Sequence, residues 1–388
     1  MKKILVVLVL LVSLVRLEAQ EGIKLDFHGF VNPHYYADSR SVVGGREDMM
    51  LFYPKPIVRD SLGRDINDGW QSNMLAITAR LNVKITGPEM LGAKTSAFVE
   101  GDFTGATNAT IDNLRLRHAY FRMNWDKHEL TAGQYWYAMV VHEIMPMTNP
   151  LNMGAPFHCY ARQPQVRYSY FPTGNWELLA VAQWQLDNMS QGLLNGTPQS
   201  SPLFARHSLI PELNAQLRYR QGDLFVGAAA NLKTIQPVVP DPKGTLHTSL
   251  SWSLFGKAAL GPVTIKAQTL LNNSLYEGCS LGGYLMLADG SFRDWHFNTV
   301  WLDIEGNRGH WRPGLFMGYA KNLDFGNTDY THCFGRGHDL AYLWRVQPRL
   351  TYTTLKGLSF VGEAEYTYAG YNQPVGNLRL SLSAVYAF

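Results

Sequence analysis

Leu213, Ala215, Leu217 and Tyr219 alternate with Glu212, Asn214, Gln216, Arg218 and Arg220, so one face of this segment is apolar and the other wholly polar. Alternation with period two marks a strand that separates an apolar medium from water. The pattern recurs along the chain: Trp176, Leu178, Ala180, Ala182, Trp184 and Leu186; Leu246, Thr248, Leu250, Trp252 and Leu254; and Leu75, Ile77, Ala79, Leu81, Val83 and Ile85 before Gly87-Pro88. No charge falls on these apolar phases. An Arg or Lys on a lipid face near the midplane would cost about 2–4 kcal/mol, so the segregation fixes register.

Read in order, the alternating segments number sixteen, and the connections between them keep a rhythm. Short ones fall at 87–91, 125–127, 172–175, 220–223, 261–262, 305–310 and 355–357. Long ones fall between them, at 38–69, 104–112, 138–161, 187–210, 236–244, 273–296, 322–338 and 370–376. This predicts an all-β fold, a 16-stranded antiparallel transmembrane β-barrel with short periplasmic turns and long extracellular loops. Two places resist the scheme. The apolar phase switches from Leu114 and Leu116 to Ala119, Phe121, Met123 and Trp125, which calls for a β-bulge or a later strand start. Pro348 sits inside a strand, where it removes a ladder hydrogen bond.

Composition agrees with a barrel. Aromatic residues are 12% and charged residues 17% of the chain, unusual for a soluble domain. Lys2-Lys3, an apolar stretch over 4–15 and Leu17-Glu18-Ala19 have the layout of a secretory leader, so 1–19 is expected to be a signal peptide and 20–388 one barrel domain. A net charge of +3 without a basic run gives no case for nucleic acid. Cys159, Cys279 and Cys333 form no disulfide framework or metal motif, although Cys279 and Cys333 fall in neighbouring loops where a bridge is conceivable.

Sixteen strands enclose a bore wide enough for water, which makes a channel the default function. Its inward phase carries about fifteen basic side chains against about eight acids, and such a wall concentrates anions. The pore-lining candidates of this phase are Arg80, Lys94, Glu100, Arg122, Arg167, Arg218 and Arg345. Segment 138–161, rich in Met, Pro and His, is a candidate constriction loop in which His142, Glu143 and His158 would narrow the channel. Small anionic solutes are the expected cargo, in a bacterial outer membrane. No metal site or cofactor is expected.

Gly-x-Ser-x-Gly, P-loop and HExxH motifs are absent, so an enzyme is not expected. A TonB-linked transporter needs about 22 strands and a plug. The competing reading is a surface adhesin or structural barrel that works through its external loops; failure to conduct in planar bilayers would favour it.

The stretch Leu114-Arg-Leu-Arg-His-Ala-Tyr-Phe-Arg-Met-Asn-Trp125, followed by Leu130-Thr-Ala-Gly-Gln-Tyr-Trp136, resembles Gram-negative sixteen-stranded porins, above all the DcaP-like and phosphate-selective O/P porins. That resemblance implies an outer-membrane homotrimer of water-filled barrels passing small anions such as dicarboxylates or phosphate, with an arginine-bearing hairpin ahead of a constricting third loop. On this match Arg115, Arg117 and Arg122 face the pore. The final strand, with Leu378, Leu380, Leu382, Ala384, Tyr386 and Phe388 in one phase, resembles the signal read by the barrel assembly machinery, an expected partner in biogenesis. The DcaP-like proteins carry an N-terminal coiled-coil extension, whereas the strand pattern here begins at about Ile23.

Overall fold

The computed structural model describes residues 23–149, 152–186, 188–354 and 357–388. The expected leader at 1–19 lies outside them, as do parts of three expected connections, 150–151, 187 and 355–356. Sixteen antiparallel strands close into a barrel. The first strand is built from Lys24–Val31 and His34–Arg40, and the last, Val375–Ala387, closes the cylinder by pairing His34 with Ser383 and Phe30 with Ala387. Phe388 and Gly29 complete the seam with two reciprocal backbone hydrogen bonds of 3.0 Å.

The two faces follow the sequence pattern where alternation is strict. In Glu212–Gln221, Glu212, Asn214, Gln216 and Arg218 point inward and are buried, whereas Leu213 and Leu217 remain 43% and 45% exposed toward the membrane. Aromatic pairs such as Trp176 with Tyr219 and Trp311 with Tyr352 stand beside the short turns, where amphipathic rings sit at the membrane boundary. The last connection is shorter than expected, spanning only the gap between Gly370 and Val375.

The segment from Leu75 to Ile85 is not one two-faced strand. Asp68–Leu75 and Arg80–Met90 are separate stretches of the second strand, joined by a turn in which Ala79 N–H donates to the Ala76 carbonyl at 3.1 Å. Along the first strand Phe30 faces Arg80 and His34 faces Leu75, so five steps on one side oppose four on the other. One extra residue reverses the phase. Leu81 therefore faces the membrane, while Ile77 turns into the lumen and is buried there.

The phase switch near Arg117 is a true bulge in Arg115–Asn124. Glu100 faces His118 but Gly101 faces Leu116, which leaves Arg117 as the additional residue. Gln134 satisfies the carbonyls freed by it, donating through Nε2 to Leu116 and Arg117 oxygens at 2.9 and 3.1 Å. Opposite Tyr120 stands Gly133 at φ 129°, where any side chain would strike the Ala119 carbonyl. Pro348 sits in Tyr342–Thr353 facing the membrane, and the ladder to the next strand lapses between the pairs Val346–Tyr366 and Arg349–Glu363.

Two long connections fold into the bore. Segment 138–161 is tied to the wall by Gln216 Nε2 to the Ala138 carbonyl (2.7 Å), Lys266 Nζ to the Met145 carbonyl (3.2 Å) and Asn149 Nδ2 to Ser381 Oγ (3.0 Å). The first connection forms a hairpin, Val42–Gly45 with Met50–Pro54, whose Met50, Phe52 and Tyr53 pack with Val140, Val141 and Phe157. Burying such side chains contributes about 1.5–3 kcal/mol each, enough to draw a loop off the surface.

Candidate functional site

A small cavity, about 50 Å³, lies where the second, third and fourth strands meet the tip of the first connection and the end of segment 138–161. Arg46, Arg80, Arg115, Arg117 and Arg162 surround it. The bulge is what places Arg117: it turns both Arg117 and His118 inward, beside Arg115. Arg46 is brought in by a left-handed turn over Arg46, Glu47 and Asp48, with φ of 59°, 54° and 60°, steadied by Asn108 Oδ1, which accepts from the Arg46 N–H at 2.8 Å.

Two carboxylates organise the cluster. Arg117 donates through Nε to Glu100 Oε1 (2.7 Å) and through Nη1 to Asp102 Oδ2 (2.6 Å), and Arg115 grips Asp102 at 3.1 and 2.9 Å. Thr104 Oγ1 donates to the same Asp102 at 2.8 Å. Five guanidinium groups against Glu100 and Asp102 leave a surplus of positive charge. Arg46 Nε, Arg80 Nε and Arg117 Nη2 are buried with no acceptor among the described residues, so donors remain available to the cavity.

Tyr160 closes the ring. Arg162 donates through Nη2 to its hydroxyl at 3.1 Å and stacks over Trp136 at 4.0 Å. Burial pushes the Tyr160 phenol up, but the positive charges of Arg162, Arg117, Arg80 and Arg115 outweigh it and bring it down to about 7.

The whole arrangement, a closed barrel with a polar bore narrowed by inserted loops, has solved counterparts. The chain is similar to the outer membrane channel DcaP of Acinetobacter baumannii, with 19% identity, a TM-score of 0.73 and coverage of 95% of this chain and 99% of that one. This is the porin fold. An anion-selective porin from Comamonas acidovorans shares it at 10% identity, TM-score 0.58 and coverage of 94% and 100%. So does OmpT of Vibrio cholerae in a trimer form, at 10% identity, TM-score 0.55 and coverage of 95% and 100%. No family model matches the sequence, and no curated protein does.

On this porin scaffold the other sequence candidates separate. Arg80, Glu100, Arg115 and Arg117 belong to the cluster. Arg122 lies toward the short-turn end, bonded to Thr131 (3.1 Å) and Glu129 (3.3 Å). Lys94 is exposed beside a short turn, away from the cluster. Arg167 donates to the Trp136 carbonyl at 3.3 Å, and Arg218 lies between Glu143 (3.4 Å) and Glu177 (3.5 Å), so the charge of Arg218 is balanced locally. Arg345 is fully enclosed and grips both inserted segments.

Within 138–161, Glu143 reaches Arg218 and Arg220, and His142 stands exposed beside Trp136. His158 does not face the bore: it is enclosed, with Nδ1 2.8 Å from Gln268 and its ring edge-on to Trp301. Cys279 lines the arginine cavity, while Cys333 sits on His332–Arg336. All three cysteines are free thiols, so a bridge between Cys279 and Cys333 is not formed. No group of three His, Cys, Asp or Glu side chains among the described residues is placed to hold a metal ion.

Arg46, Arg162 and Tyr160 are the residues that strand phase missed. Arg162 opens its strand, where alternation has lost its meaning, and Arg46 lies in a connection read as external. A signal for the latter was present: Met49-Met50-Leu51-Phe52-Tyr53 is too apolar a run to leave in water.

Proposed function

We propose that residues 20–388, freed of a leader at 1–19, form an outer-membrane porin of a Gram-negative bacterium that lets small hydrophilic solutes diffuse passively and favours anions. The observation that carries the reading is the unbalanced arginine cluster around the small cavity where both inserted segments meet the wall. Several inward charges elsewhere are matched: Arg349 with Asp303 at 2.7 Å, Lys266 with Glu305 at 2.7 Å, Arg379 with Asp38 at 2.6 Å. Matched pairs solvate a wall; a surplus in a confined space sets a potential that solutes must cross.

A second, larger cavity of about 480 Å³ is lined by Asn149, Glu305, Arg349 and Ser383. Solutes in this reading meet one tight, positive step at the arginine cluster. In this reading segment 138–161 is the constriction loop, Arg80, Arg115 and Arg117 act with Arg46 and Arg162 at the step, and Arg122 lines the approach to it. The trimeric state of the similar OmpT supports a homotrimer here. The test is reconstitution in planar bilayers: channels whose reversal potential across a KCl gradient has the anion-selective sign are expected. A cation-selective sign would overturn the preference, and absence of channels would favour the adhesin.

A further inference from the structure

We propose that Tyr160 sets the strength of the anion preference by switching between phenol and phenolate inside the arginine cluster. The inference rests on the anion-selective reading above and names a residue that adjusts it. Its basis is position. The Tyr160 hydroxyl accepts from Arg162, its ring lies 5.7 Å from Trp136, and it shares the cavity with Arg46, Arg80, Arg115 and Arg117. A phenol there is neutral and leaves the guanidinium surplus intact. Loss of its proton to solvent creates a phenolate that the same guanidinium groups stabilise, and it cancels one positive charge at the cluster.

The other ionisable groups around it do not offer the same switch. Asp102 and Glu100 are already engaged as acceptors by Arg115 and Arg117. His118 takes a hydrogen bond from Arg162 Nε on its Nε2 at 3.3 Å, which requires the neutral ring. Burial raises the Cys279 thiol, keeping it protonated. His142 is exposed and meets Trp136 at 6.3 Å between ring centroids, and it is not among the residues lining the cavity. Tyr160 alone combines contact with the cluster and a proton held near neutrality.

The experiment compares wild type with Tyr160→Phe in planar bilayers under a KCl gradient, from pH 5.5 to 8.5. In the wild type the chloride-to-potassium permeability ratio should fall about threefold with a midpoint near neutral pH, the size expected of one unit charge in water a few ångströms from an ion's path. The variant should hold the ratio of the acidic wild type throughout. In parallel, absorbance at 295 nm of folded protein in detergent should show one tyrosine ionising near pH 7, lost in Tyr160→Phe, while the rest of the 20 tyrosines ionise in more alkaline solution. An unchanged pH curve in Tyr160→Phe, or no such step in the wild type, would overturn the inference. A phenolate step in a channel with no anion preference would also overturn it, through the pore reading rather than through Tyr160, so the two failures are told apart.

Discussion

Arg345 donates from Nη1 to the carbonyl of Ala155 at 2.8 Å, joining the fourteenth strand to the segment that enters the bore. Its Nη2 donates to the Leu51 and Phe52 carbonyls of the other inserted segment, at 3.0 and 3.1 Å, while Nε pairs with Glu365 at 3.0 Å. One guanidinium thus fixes two loops to one wall. It is a clamp, and its charge is not offered to solutes.

Arg345→Ala should therefore change the bore more than its selectivity. Removing the guanidinium frees both loops and leaves Glu365 buried without its partner, at a cost of about 3–5 kcal/mol. Single-channel records should show larger and noisier conductance with the same sign of reversal potential. The heat-induced gel shift should occur at a lower temperature. A quiet channel of wild-type conductance would mean that the clamp does not hold the loops.

Arg117→Gln should move the reversal potential toward zero, because it removes one positive charge from the tight step and leaves Glu100 and Asp102 less compensated. Lys94→Gln should leave that potential unmoved, since Lys94 is exposed beside a short turn. The pair of measurements discriminates. A larger shift from Lys94→Gln would place selection at the rim.

Glu143 anchors the start of the inserted segment through Arg218 and Arg220. Burial pushes its carboxyl up, but Arg218, with His142 and Arg220, holds it below the usual carboxylate range. A depressed acid adds stability that is present above its unfolded value, about 4.3, and is lost as pH falls through the folded value. Conductance noise from this anchor should be absent at pH 6 and grow in strong acid. Glu143→Gln should be noisy at pH 6 already; acid-induced noise that persists unchanged in a quiet Glu143→Gln channel would remove Glu143 from the anchor.

How far the sequence alone reaches depends on local regularity. Glu212–Gln221 was legible in full because every inward residue is polar and every outward one apolar. The phase reversal between Leu75 and Arg80 was not, since an added residue in a turn leaves the apolar spacing unaltered while exchanging the faces. At Arg117 the spacing did break, and the bulge was readable as a break although not as the device that gathers arginines. The site was half legible for the same reason. Strand phase finds Arg80 and Glu100, and the porin resemblance Arg115 and Arg117, but Arg46, Tyr160 and Arg162 reach the cavity from loops and a strand end, where no periodicity governs direction.

The inserted hairpin offers the strongest test of how the bore is narrowed. Two forces hold it: apolar burial of Met50, Phe52 and Tyr53 against segment 138–161, and donation from Arg345 and Arg379 to the carbonyls of residues 48, 49, 51 and 52. Met50→Ser with Phe52→Ser removes much of the first, about 2–4 kcal/mol, and keeps the second. Excision of 44–52 removes both. Conductance should rise modestly in the double variant and strongly after excision, and anion preference should weaken only after excision, because Arg46 leaves with the hairpin. If excision left conductance unchanged, the first connection would not narrow the path, and 138–161 alone would set the bore.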